Sequence, residues 1–180
     1  KLEQTIKTII NDNGPIHILV NNAANDQRHT TDEVDQEYWD NRMAVNLKHF
    51  FFTIKFVKDE MIKNKGGSIV NIGSVSWMLG EGDKVAYETA KSAVVGLTRS
   101  FAKELGKYNI RSNSVVPGSI VTERQIKHWI TPEYKKWILE KQSLKHQLVP
   151  QDVANMVLYL ASDISSGCTK QNFIVDAGLC

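Results

Sequence analysis

The feature that most constrains this chain is an alternation that runs from one end to the other. Short apolar runs of strand length, Ile16–Val20, Ser68–Ile72, Ile110–Val116 and Phe173–Val175, are separated by longer segments with helical periodicity. The strand-like runs are apolar on both faces, which is the pattern of parallel strands covered by helices on both sides. The first helical segment stops at Asn11-Asp12-Asn13-Gly14-Pro15. A second runs from about Glu37 to Lys63 and is broken by Gly66-Gly67. A third, Val85 to Leu105, carries Ala90, Val94, Leu97, Phe101 and Leu105 on one stripe. Gly96 inside it costs about 1 kcal/mol relative to Ala, so the sequence predicts a close helix contact there. Thr122 to Leu148 reads as a mobile, charged, Trp-containing connection. Pro150 opens a last helix with Val153, Val157 and Leu160 on one face. The order predicts an α/β fold: a doubly wound parallel sheet, Rossmann-like and three-layered (α/β/α), with residues 1–180 as a single domain.

Composition removes several function classes. The 22 basic and 20 acidic residues leave a net charge of +2. The basic residues are scattered, so neither nucleic acid nor a membrane surface is expected as partner. Cys168 and Cys180 form no CxxC and no disulfide framework, which points to a reducing, cytoplasmic setting. None of the 5 His has ligand spacing to another, so no metal is expected. No apolar run is long enough to span a bilayer. Lys1 leads straight into Leu2, Ile6, Ile9 and Ile10 with no N-cap before them, so more chain is expected upstream.

In an open parallel sheet, ligands bind at the carboxyl ends of the strands. Asn21-Asn22-Ala23-Ala24, Gly73-Ser74-Val75-Ser76-Trp77 and Pro117 to Thr122 follow the first three strands and gather at one edge. Beside them, Tyr87 and Lys91 are four apart at the start of a helix and share a face. A phenol titrates near 10, too high for a good base near neutral pH. A cation about 4 Å from the phenolate supplies roughly 4 kcal/mol at an effective dielectric of about 20. That predicts a Tyr87 pKa lowered by about 3 units before desolvation is counted, and an acid/base role for it. Ser74 would hydrogen-bond the reacting oxygen. Alone, the pair reads more readily as a solvated lysine beside a half-buried tyrosine.

The full set of residues resembles the classical short-chain dehydrogenase/reductase family. NNAA at Asn21, Asn46, Ser74, YETAK at Tyr87, NSVVPG ending at Gly118 and VDAG at Val175 carry the resemblance over essentially the whole chain. It implies an enzyme using NAD or NADP, with Tyr87 as catalytic acid/base, Lys91 lowering its pKa and holding the cofactor ribose, Ser74 positioning the reacting oxygen, and Asn46 anchoring a water relay. It further implies cofactor contacts from Asn21, Ala23, Tyr87, Lys91, Pro117, Gly118, Ile120 and Thr122. The Gly-rich phosphate turn that opens the family fold has no counterpart among the 11 glycines, and NNAG reads NNAA. A sheet without the preceding strands is expected to expose an open edge and apolar surface.

Within the family, Asn25-Asp26-Gln27-Arg28-His29, Glu37-Tyr38-Trp39-Asp40 and Gly73 to Trp77 resemble sugar 1-dehydrogenases. That implies oxidation of an aldose at C1 to a lactone. Asn25, Asp26, Arg28, Ser76 and Gln125 would hydrogen-bond the sugar, and Trp77 would wall its C–H face. Arg28 and His29 read equally as a solvated loop, while Trp129 and Trp137 read as helix packing in the lid ahead of substrate contact. The alternatives are a carbonyl or 3-oxoacyl reductase on the same scaffold, or a non-catalytic fragment acting as a binding partner. The resemblance also implies a homo-oligomer, dimer or tetramer, with Phe50, Phe51, Phe52 and Phe56 suited to its interface, although some of them must face the sheet.

Overall fold

Strands β1 (Ile18–Asn21), β2 (Gly67–Ile72), β3 (Ile110–Pro117) and β4 (Asn172–Val175) form one all-parallel sheet in the order β1-β2-β3-β4. This is a computed structural model that describes residues 1–180. Successive residues of β2 point to opposite faces. Ile69 joins Ile6 of helix α1 (Leu2–Asn13), Ile54, Val57 and Met61 of α3 (His49–Lys63), and Phe101 and Leu105 of α5 (Val85–Leu105). Val70 and Ile72 face the other way and pack, with Val115, against Leu160 of α8 (Pro150–Ala161). These two apolar layers make the three-layer α/β arrangement that the sequence predicts. Each fully buried Ile, Leu or Met among them stabilises the fold by roughly 1.5–3 kcal/mol.

A polar chain runs through the first layer. The Thr53 hydroxyl donates to Asn21 Oδ1 (2.6 Å), Asn21 Nδ2 to Asn71 Oδ1 (2.9 Å), and Asn71 Nδ2 to Thr98 Oγ1 (3.0 Å). It ties β1 and β2 to α3 and α5 and pins their register, because each member left unpaired in the interior is expensive.

The structure departs from the sequence pattern in several places. The helix expected over 37–63 is α2 (Gln36–Met43) and α3 joined through a π turn at Ala44–Lys48. A π turn accommodates an extra residue, and Asn46 lies fully buried within it. The supposedly mobile stretch from Thr122 contains two helices, α6 (Glu123–His128) and α7 (Pro132–Lys141). Each has a threonine N-cap: Thr122 Oγ1 accepts from the Gln125 amide and Thr131 Oγ1 from the Tyr134 amide. A Cβ at Gly96 would meet nothing within 4 Å, so no helix contact in this chain requires that glycine. Phe50 is fully buried and cannot serve an interface, whereas Phe51 remains 45% exposed. The open edge and the apolar surface are both present: β1 pairs with β2 alone, and its Ile18 and Val20, on one face, are 48% and 41% exposed. No helix is long and apolar enough to cross a membrane.

Candidate active site

All four strands deliver residues to one cavity of about 450 Å³ at their carboxyl ends. The end of β2 is fastened to β3 by the Gly73 amide donating to Val115 O (2.7 Å) and the Val75 amide to Pro117 O (3.0 Å). A Cβ at Gly73 would come within 3.3 Å of the Val116 side chain, a tight fit that a larger residue could take only if Val116 shifted by a few tenths of an ångström. The following helical turn, α4 (Ser76–Leu79), begins with the Ser76 amide donating to Ser74 Oγ (3.2 Å), while the Ser74 hydroxyl donates to Ser76 Oγ (3.0 Å). Both serines line the cavity.

Tyr87 and Lys91 reach the same space from the first turns of α5. The Lys91 ammonium is 1% exposed and makes its one hydrogen bond to Ile72 O at 2.6 Å. It lies 5.6 Å from the Tyr87 ring centroid and 5.3 Å from that of Phe50, and forms no ion pair. Burial pushes the Tyr87 phenol up to about 12, against the opposing pull of the Ser74 hydroxyl. Burial pushes Lys91 down to about 8, with Asp26 acting the other way. The lowered tyrosine pKa expected from the helix spacing is therefore not found. The ammonium sits over the ring and bonds a carbonyl, and burial, which disfavours the phenolate, sets the direction of the shift.

The remaining sequence-chosen residues divide. Pro117, Gly118, Ile120 and Thr122 line the cavity, as do Asp26, Arg28, Ser76 and Gln125. Asn21 does not: its amide is spent in the buried polar chain, and the lining positions of that strand end are Asn22 and Ala24, not Asn21 and Ala23. Asn25 turns away as well, its amide donating to Asn46 Oδ1 (2.7 Å) and its own Oδ1 accepting from the Gln27 amide (2.9 Å). Trp77 is half-buried but forms no part of the lining. Asn46 holds the loop after β1 and leaves its buried Nδ2 without a partner.

The polar groups meant for substrate are largely engaged with one another. Asp26 accepts from Gln125 Nε2 (2.6 Å) and pairs with Arg124 Nη2 (3.0 Å), which joins the loop after β1 to α6. Arg28 pairs with Asp83 (2.8 Å) and lies 4.7 Å over the Trp129 ring. His29 is buried, its Nε2 accepting from the Ala86 amide (3.3 Å) at the start of α5 and its Nδ1 lying 3.0 Å from the Tyr38 hydroxyl. Neither is the solvated loop residue that remained open in the sequence. Glu81, Asp83 and Glu88 bring carboxylates within 4.8 Å of one another, and the Lys84 ammonium sits on the first two.

Sequence reading missed Tyr134 and Leu179 in the lining, the first because α7 was not foreseen. Leu179 follows the fourth strand, and the rule applied to the other three strand ends would have found it.

Comparison with known proteins places the chain among dehydrogenases and reductases. A family model described as enoyl-(acyl carrier protein) reductase matches residues 1–180. A D-xylose 1-dehydrogenase of Caulobacter vibrioides is 47% identical over 97% of this chain and 70% of its own length. A protein of Rhizobium meliloti described as a probable galactose dehydrogenase is 45% identical over 92% of this chain and 65% of its own. The crystal structure of a gluconate 5-dehydrogenase from Burkholderia cenocepacia, in complex with NADP and tartrate, superposes with a TM-score of 0.93 at 28% identity, covering 99% of this chain and 70% of that one. With the sheet, the YETAK helix and Ser74 converging on one cavity, the chain belongs to the short-chain dehydrogenase/reductase family.

Proposed function

We propose that this chain is an NAD(P)-dependent oxidoreductase that oxidises an aldose at C1 to the lactone, with Ser74, Tyr87 and Lys91 as its catalytic residues. The observation that carries the reading is the meeting of those three side chains at one cavity in a chain 47% identical to a D-xylose 1-dehydrogenase. The residues present fit the nicotinamide end of the cofactor. Lys91 is a buried cation with a single carbonyl acceptor, leaving donors for ribose hydroxyls, and Asn22, Ala24 and the Pro117–Thr122 loop line the same wall. The bound nicotinamide supplies the acceptor for hydride from C1 and, when oxidised, a positive charge beside the site.

The chain's own groups handle the proton. Ser74 hydrogen-bonds the anomeric oxygen, and Tyr87 as phenolate takes the hydroxyl proton while the C1–O double bond of the lactone forms. With its phenol pushed up to about 12, Tyr87 keeps its proton near neutral pH. Oxidation is therefore favoured by alkaline pH or by positive charge close by, and the protonated phenol is the ready acid for the reverse reduction. Asn46, whose buried Nδ2 has no partner, would hold the relay water that the family resemblance implies.

The test is absorbance at the reduced-nicotinamide band with a panel of aldoses, NAD and then NADP. Turnover that vanishes in Tyr87→Phe supports the reading. Activity on ketones alone, with reduced cofactor, replaces it with a carbonyl reductase. The same reading places the enzyme in the reducing cytoplasm, in keeping with its two free cysteines. It also makes the molecule a homo-oligomer through α3 and α5, where Phe51 is exposed, and a monomer mass by light scattering would count against that.

A further inference from the structure

The segment that follows β4 is built as a rigid hook. The buried Asp176 carboxylate accepts from the Gly178 amide (2.8 Å) with one oxygen and from the Cys180 amide (2.9 Å) with the other. On the far side, the Ser143 amide donates to Gly178 O (3.0 Å) and the Leu144 amide to Ala177 O (2.9 Å). Gln142, fully buried, donates from Nε2 to Asp176 O (3.4 Å). Ala177 and Gly178 both adopt left-handed backbone, at φ 59° and 73°. A Cβ at Gly178 would fall 2.6 Å from Ser143 Oγ, so glycine is needed there for space as well as for φ. One at Gly118 would fall 2.8 Å from Asp176 Cα, so the base of the hook is set against the cavity loop.

The residue that this framework sets in the cavity lining, in the same space as Ser74 and Tyr87, is Leu179. Elsewhere in the same lining the side chains offered to a substrate are polar and already paired, through Asp26, Gln125 and Arg124. A branched apolar group flanked on both sides by such backbone bonds acts by shape. It yields little, and it offers nothing for an extra hydroxyl to bond. We infer that Leu179 is the wall that sets the size of substrate admitted beside Ser74 and Tyr87, separating sugars by the bulk carried beyond the reacting carbon. The inference rests on the aldose reading for its choice of probes.

D-xylose and D-glucose differ only in the hydroxymethyl group on C5, so their ratio of kcat/KM measures this wall directly. Leu179→Ala should raise the glucose-to-xylose ratio at least about tenfold, the scale on which hydrophobic pockets discriminate by size. Leu179→Phe should lower it by a similar factor. Cys180→Ala, on the next residue, should leave it unchanged. Ratios within about twofold of the unsubstituted protein in both Leu179 variants would overturn the inference while leaving sugar oxidation standing. If no aldose is oxidised, the aldose reading fails. The same three variants with a short and a long-chain ketone and reduced cofactor then decide the wall. No change in that ratio, or no turnover of any substrate, overturns it.

Discussion

The wall carrying Ser74, Tyr87 and Lys91 and the wall carrying Asp26, Arg28, Arg124 and Gln125 face the same space but are held differently. The first stands on β2, β3 and α5, where Ile72, Val94 and Phe101 are buried and backbone bonds from Gly73 and Val75 cross to the next strand. The second is closed by side chain to side chain contacts, with Arg124 48% and Asp26 26% exposed. Exposed pairs of that kind contribute about 1 kcal/mol or less each. The difference assigns reacting groups to the stiff wall and substrate-dependent movement to the soft one, since low-stability contacts are the ones that open. Substitutions on the two walls should then separate chemistry and stability from binding.

The largest effect is expected at Tyr87. Tyr87→Phe removes the proton-transferring oxygen and keeps the ring, so kcat/KM should fall by about a hundred- to ten-thousand-fold. The thermal midpoint should stay near that of the unsubstituted protein. A variant that loses its activity together with its fold would show that the stiff wall depends on the hydroxyl, which would break the contrast.

Lys91 gives the next effect, and its sign differs between activity and stability. Its folded pKa is pushed down to about 8 by burial, from the ordinary lysine value of 10.5. Between those values the unfolded chain holds a proton that the folded one has released, so stability rises with pH across that window. Below it, the buried charge costs about 3 kcal/mol. Lys91→Met should therefore raise stability at pH 7, remove the rise between pH 8 and 10, and abolish turnover. Paired denaturation curves at the two pH values measure it. Loss of stability at pH 7 in the variant would show that the ammonium is a structural brace.

The third effect is purely structural. Asn71→Val deprives Asn21 and Thr98 of their partners inside the first layer and should cost about 2 kcal/mol in chemical denaturation. KM should change little. A normal stability would mean that the polar chain reorganises around the gap.

The same contrast explains what was legible in the sequence. The stiff wall is made of periodic apolar segments, so the span Val85–Leu105 and the two central strands follow from pattern alone, to within a residue at either end. The soft wall is made of contacts between residues a hundred positions apart, such as Asp26 with Gln125, which no local pattern encodes. Thr131-Pro132-Glu133 was an available helix start, overlooked because the charged composition around it suggested a mobile loop. The π turn at Ala44–Lys48 inserts its extra residue without disturbing the apolar spacing on either side, so nothing announced it. Distance along a helix placed Tyr87 and Lys91 together correctly, but only burial, a property of the whole fold, decides the direction of their pKa shifts.

The smallest effect links the two walls. After burial and the Ser74 hydroxyl, the next influences on Tyr87 are the Asp26 charge, which raises its pKa, and the Arg124 charge, which lowers it. The two belong to one ion pair, so in the intact protein they largely offset each other. Removing either leaves the other uncompensated. Asp26→Asn should lower the Tyr87 pKa and move the rising limb of the oxidation rate against pH toward acid. Arg124→Gln should raise it and move the limb toward alkali. Each shift should be about half a pH unit or less, the size expected of a partly solvated charge. Both variants should also loosen α6 and raise KM a few-fold, and high salt should shrink the pH shifts. Limbs that move in the same direction would mean that both variants act through the loosened α6 and that charge is secondary. Limbs that move apart while KM rises in both would show one ion pair serving the soft wall as a fastening and the stiff wall as a tuned field.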